Sequence, residues 1–240
     1  MINNRFMRTQ ALIGGKAMQK LQNSTVMIVG LGAVGGYALE GIARSGVKKL
    51  ILVDFDCFDE TNINRQILAL SSTIGQKKTD VAFERVKQIN PTCEVVLMDM
   101  FVDKNNVDNL IGLKPDFVID AIDSIKPKCE LIKALIDNNV DFISSMGAAL
   151  KTDTSTIKIA NLNQTQNCTM ARSVRQNLKK LNVDLKKVVC VFSNEICQLP
   201  DSAITENENG GKQILGSLPT ITAIFGLMMA NYVIQKLIEK

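Results

Sequence analysis

The stretch Val26-Met-Ile-Val-Gly-Leu-Gly-Ala-Val-Gly35 leaves this chain few folds to choose from. Four apolar residues bounded by glycine read as a buried strand, and Ala33, Val34, Tyr37, Ala38 and Ile42 then recur at helical spacing through Arg44. The joint is Gly30-x-Gly32-x-x-Gly35: Gly30 permits a tight turn, Gly32 lets backbone approach a phosphate, and Gly35 lets the helix pack on the strand. Backbone N–H groups at that helix start attract anions. Lys49-Leu-Ile-Leu-Val53 reads as a second strand, and Asp54 follows it where a ribose-binding carboxylate belongs. A structural strand–turn–helix with incidental glycines is the plain alternative, and the position of Asp54 favours a nucleotide site.

The 240 residues suffice for one well-buried α/β domain and not comfortably for two. An amphipathic helical segment is expected over 5–23, broken at Gly14-Gly15. The acidic run 54–59 reads as a loop, Thr61 to Leu70 as a short helix, and Ser71, Ser72 or Thr73 as the cap of a longer helix that ends at Asn90-Pro91. Further strands are expected at 94–98, 116–120 and 141–144, with helices at 105–112 and 126–138. Strand–helix alternation of this kind implies a doubly wound, mainly parallel, Rossmann-like sheet, whose ligands sit beyond the carboxyl ends of the strands. After Gly147 come strands at 156–159 and 188–192 around a basic helix at 169–181, a polar loop at 206–211 and a last helix at 219–238. The reading is one domain over 1–240, with 148–218 as a substrate-facing extension. Leu218 to Ile234 is very apolar, but Pro219, Thr220, Thr222 and Asn231 interrupt it, which suits a buried or subunit-interface helix better than a membrane span.

Histidine is absent, so Ser-His and Cys-His nucleophile pairs are excluded, as is the usual general base. The six cysteines form no C-x-x-C pair, and no zinc is expected. Chemistry here must rest on carboxylates, Lys, Arg, backbone groups and a metal. The start Met-Ile-Asn-Asn-Arg carries no apolar signal core, which points to the cytoplasm and reduced thiols. A net charge of +4 permits a polyanionic partner without requiring one.

Several reactive side chains fall just past expected strand ends or at helix starts: Asn62, Arg65 and Gln66, then Gln76, Lys77 and Lys78, then Asp120 and Asp123. Arg65 and a lysine can grip phosphate oxygens, the first as a fork and the second as a point charge. Asp123 can hold magnesium that bridges phosphates. Singly, Arg65 and Lys78 are ordinary surface cations, and Asp120 and Asp123 are caps for the helix near Ser124. Their convergence on one sheet edge argues for a site.

With Gly30-x-Gly32-x-x-Gly35, Asp54-x-Asp56, Asn62-x-x-Arg65-Gln66, Lys78 and Asp123, the chain resembles the adenylating enzymes related to ThiF, MoeB and ubiquitin-activating enzymes. Arg5-Phe-x-Arg8-Thr, Gln88-Ile-Asn-Pro91, Val118-Ile-Asp-Ala-Ile-Asp-Ser124 and Ser144-Ser-Met-Gly-Ala148 make it most similar to the tRNA threonylcarbamoyladenosine dehydratases of that superfamily. The resemblance implies ATP-driven adenylation of the threonylcarbamoyl carboxylate beside the anticodon. Ring closure by the neighbouring carbamoyl group then expels AMP. It implies ATP and Mg2+ as cofactors, with a monovalent cation as a further candidate. It implies tRNA as substrate, a homodimer, and a sulfur-transfer protein as a candidate partner. By the same resemblance Asp54 binds ribose, Asn62, Arg65, Gln66 and Lys78 surround the phosphates, Asp123 holds magnesium, and Arg8 reaches into the partner subunit's site.

Paired C-x-x-C zinc ligands, common in ThiF- and MoeB-like members, are missing, which favours the dehydratase. Thr154 stands where the dehydratase pattern has proline, and Cys168-Thr169 replaces an Asp-Pro pair. Both departures lie after Gly147 and bear on substrate handling rather than ATP binding. Arg172, Arg175, Lys179, Lys180, Lys186 and Lys187 cluster with only Asp184 among them, either as a solvated helix and turn or as a polyanion footprint. Two other functions compete. An activator of a ubiquitin-like or sulfur-carrier protein would need a Gly-Gly tail to act on and a thioester cysteine, for which Cys190 and Cys197 are candidates. An NAD-binding redox or sensor protein would leave Asn62-x-x-Arg65-Gln66 without a role.

Overall fold

A computed structural model describes residues 4–196 and 215–239. The expected loop at 206–211 and Cys197 lie outside the described residues. Helices α1 (Met7–Ile13) and α2 (Gly15–Leu21) divide at Gly14, and Met18 and Leu21 of α2 are buried. The Rossmann-like core follows: β1 (Thr25–Val29), α3 (Gly35–Arg44), β2 (Lys49–Asp54), α4 (Lys78–Ile89), β3 (Glu94–Asp99) and α5 (Val107–Ile111). Then come β4 (Phe117–Asp120), α6 (Ile125–Asp137), β5 (Phe142–Ser145), β6 (Ile157–Asn161), α7 (Thr169–Lys180), β7 (Val189–Ser193) and α8 (Pro219–Glu239).

The seven strands form one sheet in the order β3-β2-β1-β4-β5-β7-β6. All neighbours run parallel except β6, which is antiparallel to β7. Winding goes outward from β1 to β3 and then returns to β4, so the switch point lies between β1 and β4, where a crevice opens at the carboxyl ends. The central strands are apolar without polar alternation because helices cover both faces. The pleat divides them: Val26, Ile28, Leu50, Leu52, Phe117 and Ile119 enter one core, while Met27, Val29, Ile51, Val53 and Val118 enter the other. The first core is closed by α3 and by α8, through Ile221, Phe225, Met229 and Val233. By length and composition α8 could cross a membrane, at a mean hydropathy of 1.5, yet eight of its residues are buried within the chain.

Three local expectations need correction. Ala33 and Val34 precede the helix, which begins at Gly35. Thr61 to Leu70 is not a helix; after a 3-10 turn at Glu60–Asn62, closed by Asp59 and Asn62 bonding each other's backbone, the chain makes successive turns that bury Leu68 and Ala69. Nor do Ser71, Ser72 or Thr73 cap α4. Thr73 Oγ1 serves the preceding turn, donating to Leu68 O at 2.8 Å and accepting the Leu70 N–H at 2.8 Å. Helix α4 starts only at Lys78, whose N–H bonds Asp56 O at 3.0 Å.

Candidate functional site

At the switch point lies a cavity of about 680 Å³, walled by the ends of β1, β2 and β5, the segments just past β3 and β4, and the first turn of α7. Its floor is the glycine turn. Gly30 has φ +91°, and a Cβ there would sit 2.7 Å from Ala121 O. A Cβ on Gly35 would lie 1.7 Å from Gly30 O, so α3 can meet the turn only through glycine. At Gly32 a Cβ would meet nothing nearer than the Gln66 amide at 3.8 Å, so this backbone stands open to the cavity.

Asp54 is buried, and both its oxygens are oriented by backbone: Oδ2 accepts the Leu31 N–H at 2.6 Å and Oδ1 the Asp56 N–H at 3.0 Å. Each oxygen keeps a lone pair for a ligand hydroxyl. Lys78, only 6% exposed, reaches Asp56 Oδ2 at 2.7 Å and lies over the Phe58 ring. Its neighbour Lys77 instead binds Asp99 at 2.5 Å, a hydrogen bond that raises the Lys77 pKa. Arg65 lines the cavity with neutral partners, Thr61 O at 2.7 Å and Asn64 Oδ1 at 2.8 Å, and forms no ion pair among the described residues. Gln66 Oε1 is buried without a partner among the described residues, a situation that costs about 1–3 kcal/mol until a donor arrives.

Asp123 lines the cavity from the β4–α6 turn and accepts from Ser124 Oγ at 3.2 Å. Asp120 does not reach the cavity and does not cap α6, whose N-cap residue Ser124 makes no side-chain cap bond. Instead it fixes the turn from beneath. Its Oδ1 accepts the Ile122 N–H at 3.1 Å, and its Oδ2 accepts Lys128 Nζ at 2.7 Å and Ser144 Oγ at 2.6 Å.

The fold thus brings Gly30, Gly32, Asp54, Asp56, Arg65, Gln66, Lys78 and Asp123 to one cavity. Gln76, Lys77 and Asp120 do not line it, and three residues given a role by the glycine motif or the resemblance also stand outside. Gly35 packs beneath, Asn62 accepts the Asp59 N–H at 3.3 Å, and Arg8 is exposed on α1. In the basic segment, Arg175 is not a free cation: it donates to Thr165 O at 2.9 Å and to Thr165 Oγ1. Two features were missed from sequence. Phe55 and Phe101, both exposed and 5.0 Å apart edge to face, line the cavity beyond β2 and β3. Their signal was an aromatic within two residues of each strand end. Lys151, 3% exposed, lines the opposite wall and gave no signal, because its segment has no regular structure.

An open-sheet α/β protein with a glycine turn, an oriented carboxylate and cations at its switch point belongs to the nucleotide-binding class. The ThiF family matches residues 4–240, and the chain belongs to that family. It is 36% identical, over 249 aligned positions covering 98% of this chain and 95% of the relative, to the tRNA threonylcarbamoyladenosine dehydratase of Bacillus subtilis. The solved structure of the Escherichia coli dehydratase TcdA in complex with ATP superposes with a TM-score of 0.90 at 33% identity, covering 100% of this chain and 97% of that one. The same protein in complex with AMP gives 0.91 at 33% identity and the same coverage.

Proposed function

We infer that this chain is an ATP-dependent tRNA threonylcarbamoyladenosine dehydratase. The observation that carries the reading is a nucleotide-sized cavity holding fixed cations and carboxylates, in a chain that matches a dehydratase over 98% of its length. The substrate carboxylate attacks the α-phosphate of ATP and releases pyrophosphate. The carbamoyl group of the same side chain then attacks the activated carbonyl and releases AMP, so the nucleoside loses one water. Both reacting groups belong to one substrate, and holding them together supplies much of the second step. Neither a histidine nor a thiol is required.

In this reading Asp54 takes the ribose hydroxyls, and Phe55 and Phe101 offer the adenine an aromatic edge. Gln66 Oε1 accepts from the nucleotide, which fits an atom otherwise buried unpaired. Arg65 and Lys78 offset charge developing at the α-phosphate, with Asp56 holding Lys78 in position until phosphate arrives. Magnesium suits Asp123. Among the described residues no three carboxylates or thiols gather to hold an ion unaided, whereas Mg2+ accepts one carboxylate together with substrate phosphates. Bound there it would neutralise phosphate charge. Arg8, remote from its own cavity, is retained for a homodimer in which it serves the partner copy's site. The reading keeps 1–240 as one adenylating domain in the cytoplasm, with 148–218 facing the tRNA.

The carrier-protein alternative loses one of its cysteines, since burial pushes the Cys190 thiol up to about 12; a neutral thiol is a poor nucleophile. The test is incubation with ATP, magnesium and tRNA bearing threonylcarbamoyladenosine. Mass spectrometry of the digested nucleosides should show loss of one water from that nucleoside, and an unaltered nucleoside beside active nucleotide binding refutes the reading. Arg65→Ala and Lys78→Ala should each lower turnover by about 10²–10³-fold with the fold intact.

A further inference from the structure

Among the described residues three cations line the cavity: Arg65, Lys78 and Lys151. The first two stand on the β1–β2 side of the switch point with Asp54 and the glycine turn. Lys151 stands across it, past the end of β5, on the wall shared with Ser145, Gly147 and the first turn of α7. Among the described residues two lysines beyond Lys78 are deeply buried, and they differ in their partners. Lys128 meets the Asp120 carboxylate at 2.7 Å. Lys151 Nζ donates to two main-chain carbonyls, Asn167 O at 3.3 Å and Glu195 O, and to no carboxylate among the described residues. The nearby Glu195 carboxylate is turned to the loop instead, accepting the Thr152 N–H at 2.9 Å, Thr152 Oγ1 at 3.0 Å and the Asp153 N–H at 3.0 Å. An ammonium has three donors, so one is left for the cavity. Glu195 attracts the Lys151 ammonium through space without touching it, and a buried ammonium with no carboxylate in direct contact gains from a ligand anion that supplies one.

We infer that Lys151 receives the carboxylate of the acyl substrate, an assignment that rests on the function proposed above and names the subsite for its second reactant. Adenylation must bring one anion, the carboxylate, against another, the α-phosphate. Arg65 and Lys78 lie on the nucleotide's side, so the second anion needs a cation of its own on the opposite wall. Lys151 supplies it, already desolvated and clamped by two carbonyls, so little reorganisation accompanies binding. Its part is to hold the carboxylate, and it transfers nothing.

The test compares an anticodon stem-loop RNA bearing threonylcarbamoyladenosine with the same RNA as its methyl ester, each bound in the presence of a non-hydrolysable ATP analogue and measured by calorimetry. Wild type should prefer the acid. Lys151→Gln keeps donors for both carbonyls but loses the charge, so it should bind the acid about ten- to hundredfold more weakly, with ester and nucleotide affinities unchanged. A Gln variant that still prefers the acid, or a wild type that binds acid and ester equally, overturns the assignment. A wild type that binds neither RNA overturns the substrate reading, and the assignment with it. Should Lys151→Gln not fold, carbodiimide coupling of the acid to wild type decides the matter. Peptide mapping should find the adduct on Lys151, and an adduct on Lys78 alone would overturn the assignment.

Discussion

Lys128 Nζ lies 2.7 Å from Asp120 Oδ2, and neither side chain is exposed to solvent. The pair sits under the turn that carries Asp123, and Ser144 completes it by donating to the same Asp120 oxygen. A buried ion pair adds little over a hydrophobic pair, but removing one partner strands the other charge. Lys128→Met should therefore lower unfolding free energy by about 3–5 kcal/mol in urea titration. Asp120→Leu in the Lys128→Met background should recover part of that loss, since no charge is then stranded. A Lys128→Met protein with wild-type stability would show that the pair is not buried as described.

The glycine turn separates folding from binding. A methyl on Gly35 would overlap Gly30 O, a main-chain atom that cannot step aside. Gly35→Ala should therefore destabilise the chain by about 3 kcal/mol or more, within the range of severe overpacking. Gly32→Ala meets only the flexible end of Gln66. It should keep the wild-type Tm while raising KM for ATP by about tenfold, because the backbone can no longer approach the phosphate closely. Equal effects of the two substitutions on Tm would contradict this division.

How far the sequence disclosed all this depended on period and punctuation. Strands β1, β2 and β4 were legible because both faces are buried and apolar runs end at glycine or aspartate; helix ends at Arg44 and Asn90 were legible for similar reasons. The segment from Thr61 to Lys77 was misread because its serines and threonines look like caps. Their hydroxyls instead hold turns, and Gly75 at φ +82° keeps the chain out of a helix. Asp54, Arg65 and Lys78 could be placed because the fold sends strand ends to one edge. Asn62 and Asp120 have the right residue type at the right edge, yet bond to backbone or to a buried lysine, and spacing does not distinguish those fates. Arg175 misled for the same reason.

Burial pushes the Cys190 thiol up to about 12, and those of Cys93 and Cys129 up to about 11. Because the thiolate is the reactive form, exposed Cys57 should react first with Ellman's reagent among the five described cysteines. The sign for stability follows from proton binding. Folded thiols keep protons that the unfolded chain releases near the ordinary value of 9.0. Their stabilisation is whole below that value and is lost as pH rises through it towards 11 or 12. The urea midpoint should fall between about pH 8 and pH 10, and Cys190→Ala should reduce the fall. A midpoint that rises over this interval would contradict the burial of these thiols.

The basic face of α7 and the turn after it can be tested against its own internal control. Arg172, Lys179, Lys180, Lys186 and Lys187 are exposed and form no ion pair among the described residues, while Asp184 is engaged with the Lys186 N–H at 3.0 Å. The first turn of α7 lines the cavity, and the basic residues follow along the same helix and the turn after it. Lys179→Glu with Lys180→Glu should raise KM for tRNA about tenfold or more, leave KM for ATP unchanged, and flatten the dependence of tRNA affinity on salt. Arg175→Ala should do the opposite. Its guanidinium ties α7 to Thr165, so its loss should lower Tm and leave the salt slope intact. Filter binding across a salt series, paired with thermal melts, separates the two. If the double charge reversal left tRNA affinity and its salt slope unchanged, the phosphate contacts would have to lie on another surface.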